Sequence, residues 1–175
     1  MSKPASSSAA LPIARLALQI LIVLNWLMCA AIVALLVALP HEQWIMSAFK
    51  LSPSPDAARL VMGLRAIATL GIAVVPLNYV VLKRLLAIVE TVRAGDPFVA
   101  ANANRLQTIA WALFALQLLS VAIGAIGKSV STPAHPVDLD AGFSINGWLA
   151  VLLTFLLARV FAEGALMRDD LEGIV

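Results

Sequence analysis

Residues 16–39 read LALQILIVLNWLMCAAIVALLVAL, and only Gln19 and Asn25 interrupt the apolar run. A helix needs roughly 20 such residues to cross the hydrocarbon core of a bilayer. The run is long enough to span with some tilt, and Pro40 supplies its stop. A secretory signal carries a shorter apolar stretch, about 7–15 residues, ahead of a small-residue cleavage site. Here apolar residues continue past Cys29-Ala30-Ala31 without a polar break. Trp26-Leu27-Met28 is also bulky where a lipoprotein signal carries small residues. The segment reads as a retained membrane span.

The whole chain agrees with that reading. Of its 175 residues, 62% are hydrophobic and 13% are charged. A soluble domain is about half apolar and about a quarter charged. So much apolar surface cannot be hidden inside a water-soluble core of this size, and the lipid bilayer is the solvent that accepts it. Twelve Lys/Arg stand against ten Asp/Glu, for a net charge of +2. That balance is too weak and too dispersed for direct contact with nucleic acid, which requires a clustered basic face. The single cysteine, Cys29, can form no disulfide within the chain and supports no thiolate metal site.

Working outward from the first run gives an all-α integral membrane four-helix bundle with short connections. Residues 1–10 are Ser/Ala-rich and read as a disordered tail, and 11–175 read as a single four-span domain. The spans are expected at about 12–39, 57–82, 106–126 and 147–161. Between the first two lies Ser52-Pro53-Ser54-Pro55, which bars a continuous helix. Asp56 is placed to cap the second span, and Pro76 is expected to kink it. Lys83 and Arg84 mark an interface. Apolar residues then keep helical spacing at Leu85, Leu86, Val89 and Val92. Gly95-Asp96-Pro97-Phe98 reads as a helix-stop, helix-start corner. Gly95 suits a left-handed C-terminus, Asp96 an N-cap and Pro97 the first helical position. The fourth span has a short apolar core, so it must recruit Ile145 or bury its last turn around Arg159.

Cytoplasmic segments are enriched in Lys and Arg. The N-terminal tail, the middle loop and the C-terminal tail together hold Lys3, Arg15, Lys83, Arg84, Arg93, Arg105, Arg159 and Arg168. The opposite side holds Lys50, Arg59, Arg65 and Lys128. The bias predicts cytoplasmic termini and a cytoplasmic middle loop.

Candidate sites are sparse. Arg159 and Glu163 stand four apart and share a helix face. They read as an interfacial pair with a snorkelling arginine stem, or as a pair that docks on a neighbouring span or senses a ligand. Arg59 and Arg65 on the second span read as structural or lipid-anchoring groups. Gln19, Asn25, Asn78 and Gln117 are mid-span amides, expected to hydrogen-bond neighbouring helices or line a pathway. Gly63, Gly71, Gly124 and Gly127 are expected to let helices approach closely, although no GxxxG pair occurs among them. His41 and His135 have no ligand-spaced companions, so no metal or cofactor is expected. No catalytic motif stands out, and the chain is not expected to be an enzyme.

Two stretches resemble a bacterial membrane family, domain of unknown function 2975. One is Gly95-Asp96-Pro97-Phe98 followed by Asn102, Arg105 and Leu106. The other runs from Ala158-Arg159-Val160-Phe161-Ala162-Glu163-Gly164 to Met167-Arg168-Asp169-Asp170-Leu171-Glu172. The resemblance implies a short four-span protein with no established activity, often encoded beside a small helix-turn-helix regulator. Its motif residues here are Gly95, Pro97, Phe98, Asn102, Arg105, Leu106, Arg159, Phe161, Gly164 and Asp170. Phe98 is expected to wedge beneath the helices, and Arg105 to pair with Asp169, Asp170 or Glu172. The leading expectation for function is sensing or regulation through a cytoplasmic partner. The alternative is a small transporter or channel subunit working as a homo-oligomer.

Overall fold

The structure is a computed structural model, and it describes residues 7–38, 55–132 and 139–172. Four helices account for most of them: α1 Ser7–Ala38, α2 Pro55–Arg93, α3 Ala100–Val130 and α4 Ile145–Glu172. Each is long and apolar enough to cross a membrane. Large apolar side chains are exposed all along α1 and α4, among them Leu24, Leu27, Val33, Leu152 and Leu156. Water would make such a surface unstable, whereas hydrocarbon is its natural solvent. The chain is a multi-pass membrane protein.

Two helix starts differ from expectation. α1 begins at Ser7, so the end of the expected tail is already helical and Pro12 lies inside the helix. Ala9 and Ala10 favour helix, and a proline this near the start removes few amide bonds. α2 begins at Pro55, a favoured first position, which puts Asp56 inside the first turn instead of before it. The helix then runs unbroken through Pro76 and past the interface at Lys83 to Arg93. Residues 1–6, the stop at Pro40, and the loop residues His41 and His135 lie outside the described residues.

The helices pack in chain order, with extensive contact between α1 and α2, α2 and α3, and α3 and α4. α1 touches the rest mainly through α2. Near the Ala38 end of α1, Leu36 packs against the Val61 and Ala68 cluster of α2, as does Leu64. Mid-helix, Trp26 meets Tyr79 edge-on with ring centroids 5.7 Å apart. Asn25 is buried and donates a hydrogen bond to the Val75 carbonyl, 3.2 Å away. For Asn25, this is the expected tie between two helices. Replacing Asn25 with Leu should cost about 0.6 kcal/mol, the usual value for an interhelical bond of this kind. Thermal unfolding in detergent would read it as a small downward shift.

α4 resolves the question of the short fourth span. From Leu106 to Gly127 the apolar run of α3 is about 32 Å long at 1.5 Å per residue. Gly147 sits against Gln117, halfway along that run. Below this point the two helices mesh through aromatic pairs. Trp148 lies 5.7 Å from Phe114, and Phe155 lies 5.3 Å from Trp111. Ala158 joins Leu106 and Ile109 in a buried cluster that Val81, Leu85 and Ile88 of α2 complete. α4 therefore flanks only the half of α3 nearer residue 100. The other half is flanked by the non-helical segment 139–144.

That segment is seated by small residues. A side-chain carbon at Gly124 would fall 2.6 Å from the Ala141 carbonyl oxygen and 2.7 Å from Gly142 Cα. At Gly127 it would meet Leu139 at 2.7 Å. The Ser120 hydroxyl accepts from the Gly142 amide at 3.1 Å and donates to the Gly142 carbonyl at 3.2 Å. Irregular backbone at membrane depth must have its polar groups satisfied by protein, and Ser120 does this for Gly142. Of the four glycines expected to allow helix contact, two do so. Gly63 faces Val130 of α3, and Gly71 faces Ile32 of α1. Gly124 and Gly127 instead receive this non-helical segment.

Candidate functional site: a polar corner at one end of the helices

α2 and α4 both continue past the hydrocarbon at the same end, and the link between α2 and α3 turns there. The turn begins at Gly95, whose φ of 87° lies in the left-handed region. The Asp96 amide donates to the Thr91 carbonyl at 3.0 Å, and the Gly95 amide to the Val92 carbonyl at 3.1 Å. These are the paired bonds of a Schellman cap, which satisfies the last carbonyls of α2. An L-residue pays roughly 1–2 kcal/mol in that conformation. Gly95→Ala should therefore lose about that much stability without touching a neighbour, since no atom lies within 4 Å of the added carbon. A chemical denaturation series on the purified protein would measure the loss.

The restart of the helix differs from the sequence expectation. Asp96 and Pro97 are not the cap and first turn of α3. The N-cap is Val99, in extended conformation and without a side-chain cap, and α3 begins at Ala100. Asp96 is engaged elsewhere, because its carboxylate pairs with the Arg168 guanidinium of α4. Phe98 is held by Phe161, with ring centroids 5.3 Å apart, and lies over Gly164. A side chain at Gly164 would meet the Phe98 ring at 3.1 Å, so the missing Cβ makes room for the expected wedge.

Asn102 lies at the centre, with none of its surface exposed. Its Nδ2 donates to Thr91 Oγ1 and to the Pro97 carbonyl, both at 2.8 Å. Its Oδ1 accepts from Arg105 Nη1 at 2.7 Å. Arg105 Nη1 also donates to the Ala87 carbonyl at 3.2 Å, and Thr91 Oγ1 donates to the Ile88 carbonyl at 2.8 Å. One amide thus connects the end of α2, the linker and the first turn of α3. Buried polar groups persist when their bonds are filled, and here both donors and one acceptor position are in use. Leu106, one residue beyond Arg105, joins the apolar cluster just described.

The expected pairing of Arg105 with the C-terminal acids gives way to this arrangement. Arg105 turns inward onto Ala87 and Asn102, while Asp170 is exposed. The side chains of Asp169 and Glu172 lie outside the described residues. The tail is tied to the corner through Arg168 and Asp96 instead. Both of these are about two-fifths exposed, so the pair contributes roughly 0.2–1 kcal/mol. Asp96→Arg and Arg168→Asp should each cost about that much, and the double exchange should restore most of it. A double-mutant cycle measured by unfolding tests the contact.

Arg159 stands apart from the corner network. It pairs with Glu163 at 2.7 Å and is 77% exposed, on the outer face of α4. At the same end, Arg15 of α1 lies 3.9 Å from Glu90 of α2. The N-terminal part of α1, the corner and the C-terminal part of α4 therefore gather at one end of the molecule.

The residues that build this corner fall in the part of the chain a known family covers. A sequence model described as "Protein of unknown function (DUF2975)" matches residues 44–175. The chain belongs to this family. The DUF2975 match takes in α2, α3 and α4 and leaves α1 outside, in keeping with the peripheral packing of α1. No curated protein and no solved structure matches the chain. The ten candidate residues singled out in the sequence all lie toward the corner end. Gly95, Pro97, Phe98, Asn102, Arg105, Leu106, Phe161 and Gly164 take part in the corner or the cluster beneath it. Arg159 and Asp170 face outward. Sequence reading missed Thr91 and the role of Arg168. The signal for Thr91 was its place as the polar residue at helical spacing from Ile88 and Gly95, directly under the turn.

Proposed function

We propose that the chain is a non-enzymatic sensing or regulatory protein of a bacterial inner membrane, acting through a cytoplasmic partner that docks on the corner. The observation that supports this most is the buried Asn102 hub, which fixes the ends of α2 and α3 beyond the hydrocarbon. A rigid polar platform outside the membrane suits recognition. The charge bias favours the cytoplasm for this end. The surface around the platform mixes exposed Leu166 and Met167 with Glu163 and Asp170, a composition that suits a protein partner such as a small helix-turn-helix regulator. Affinity capture of the tagged protein from native membranes, beside a Gly95→Leu/Phe98→Ala control, tests the reading. Recovery of a cytoplasmic regulator with the wild-type corner alone is the expected result. Recovery of the same proteins with both forms contradicts it.

A second reading, a small oligomeric transporter or channel, is favoured by two mid-membrane features. α4 starts halfway along α3, beside the non-helical segment 139–144, and irregular backbone of that kind lines the binding sites of transporters. A cavity of about 300 Å³ opens between α1 and α2, lined by Asn25, Asn78, Met28, Ile32 and Gly71. If capture returns only copies of the chain, flux measured in liposomes becomes the deciding assay. Flux abolished by Asn78→Leu would favour transport.

A further inference from the structure

A second polar feature lies on the outer face of the helices and is independent of any partner at the corner. Between α3 and α4 is a cavity of about 220 Å³, lined by Asn104 and Gln107 from α3 and by Phe155, Ala158, Arg159 and Ala162 from α4. Its floor is apolar and its rim is polar. Arg159 stands level with Leu106, where the apolar run of α3 ends. A guanidinium at the end of an apolar run is placed to reach lipid phosphates by snorkelling. Glu163 follows one turn later, about 6 Å farther from the hydrocarbon at 1.5 Å per residue. Toward the membrane interior the groove continues into exposed apolar surface at Trp111, Leu152 and Leu156.

We propose that this groove holds the headgroup of one ethanolamine phospholipid. Arginine recognises phosphate with two parallel donors. The Gln107 and Asn104 amides stand on the opposite wall and can donate to the remaining phosphate oxygens. Glu163 lies on the watery side of Arg159, as the lipid ammonium lies on the watery side of its phosphate. A primary ammonium donates hydrogen bonds to that carboxylate. The trimethylammonium of a choline lipid has no hydrogen to donate, and a glycerol headgroup carries no positive charge. The Arg159–Glu163 pair therefore matches the sign and order of charges in the ethanolamine headgroup, which opens the pair and takes up both ends. The acyl chains run down the apolar face formed by α3 and α4.

The test is a lipid titration of the purified protein in detergent, followed by intrinsic tryptophan fluorescence, since Trp111 meets the groove residue Phe155 edge-on. Dioleoyl phosphatidylethanolamine is expected to bind about threefold more tightly than the phosphatidylglycerol or phosphatidylcholine analogue, the scale of one exposed charge contact. Glu163→Gln should abolish the preference over phosphatidylglycerol, and Arg159→Gln should weaken all three lipids, while Arg159→Lys retains part of the binding. Equal wild-type affinity for the three lipids, or an unchanged preference in Glu163→Gln, would overturn the proposal. So would equal binding of water-soluble glycerophosphoethanolamine, which lacks the chains.

Discussion

Asn102→Leu should be the most damaging single substitution at the corner, costing about 3 kcal/mol or more. Each buried polar group left without a partner costs about 1–3 kcal/mol, and this change strands several at once. The Pro97 carbonyl and Thr91 Oγ1 lose their donor, and Arg105 loses one of its two acceptors, keeping the Ala87 carbonyl. Leucine is close to asparagine in size, so the loss is one of bonding more than of packing. Asn102→Asp separates the terms. It keeps an oxygen for Arg105 but removes both donors, so it should fall between wild type and the leucine variant. Unfolding by denaturant titration of the purified protein, with membrane yield as a second reading, measures all three. An Asn102→Leu protein as stable as wild type would show that the network does not hold the corner.

Gly124→Ala is expected to be nearly as costly, and its cause is purely steric. The added methyl would lie within 2.8 Å of backbone atoms of Ala141 and Gly142. Backbone cannot swing aside as a long side chain can, so the 139–144 segment must lift from α3. Overpacking of this kind costs about 1–3 kcal/mol, and lifting the segment would also break both Ser120–Gly142 bonds. Gly71→Ala provides the contrast. Its new methyl would meet Ile32 Cδ1 at 3.4 Å, an ordinary contact, and the expected change is within about 0.5 kcal/mol. Melting curves of the two variants should separate clearly. Equal melting would mean that the segment does not rest on Gly124.

These two positions also show how far the sequence could be read. The spans followed from apolar length alone, because the requirement to satisfy backbone bonds in lipid leaves helices as the simple solution. Gly95 was legible because a left-handed stop is a local requirement. Asp96 and Pro97 were misread by the same local logic. Alone they form a good helix start, but Arg168, seventy-two positions away, draws the carboxylate to α4. Gly124 could be seen to need space, yet nothing local said that a loop would fill it. The outer half of the fourth span was invisible for the same reason. Among the described residues, the packing of 139–144 on α3 completes it. What depends on one turn of chain was readable, and what depends on a distant partner was not.

The most direct test of the account is where the corner lies. In a Cys29→Ser background, cysteine is introduced singly at the exposed positions Ala94 and Asp170, and membrane vesicles of both orientations are treated with a membrane-impermeant maleimide. Labelling of both positions is expected in inside-out vesicles, and of neither in right-side-out vesicles. Labelling in right-side-out vesicles would put the corner outside the cytoplasm and contradict its role as a platform for a cytoplasmic partner.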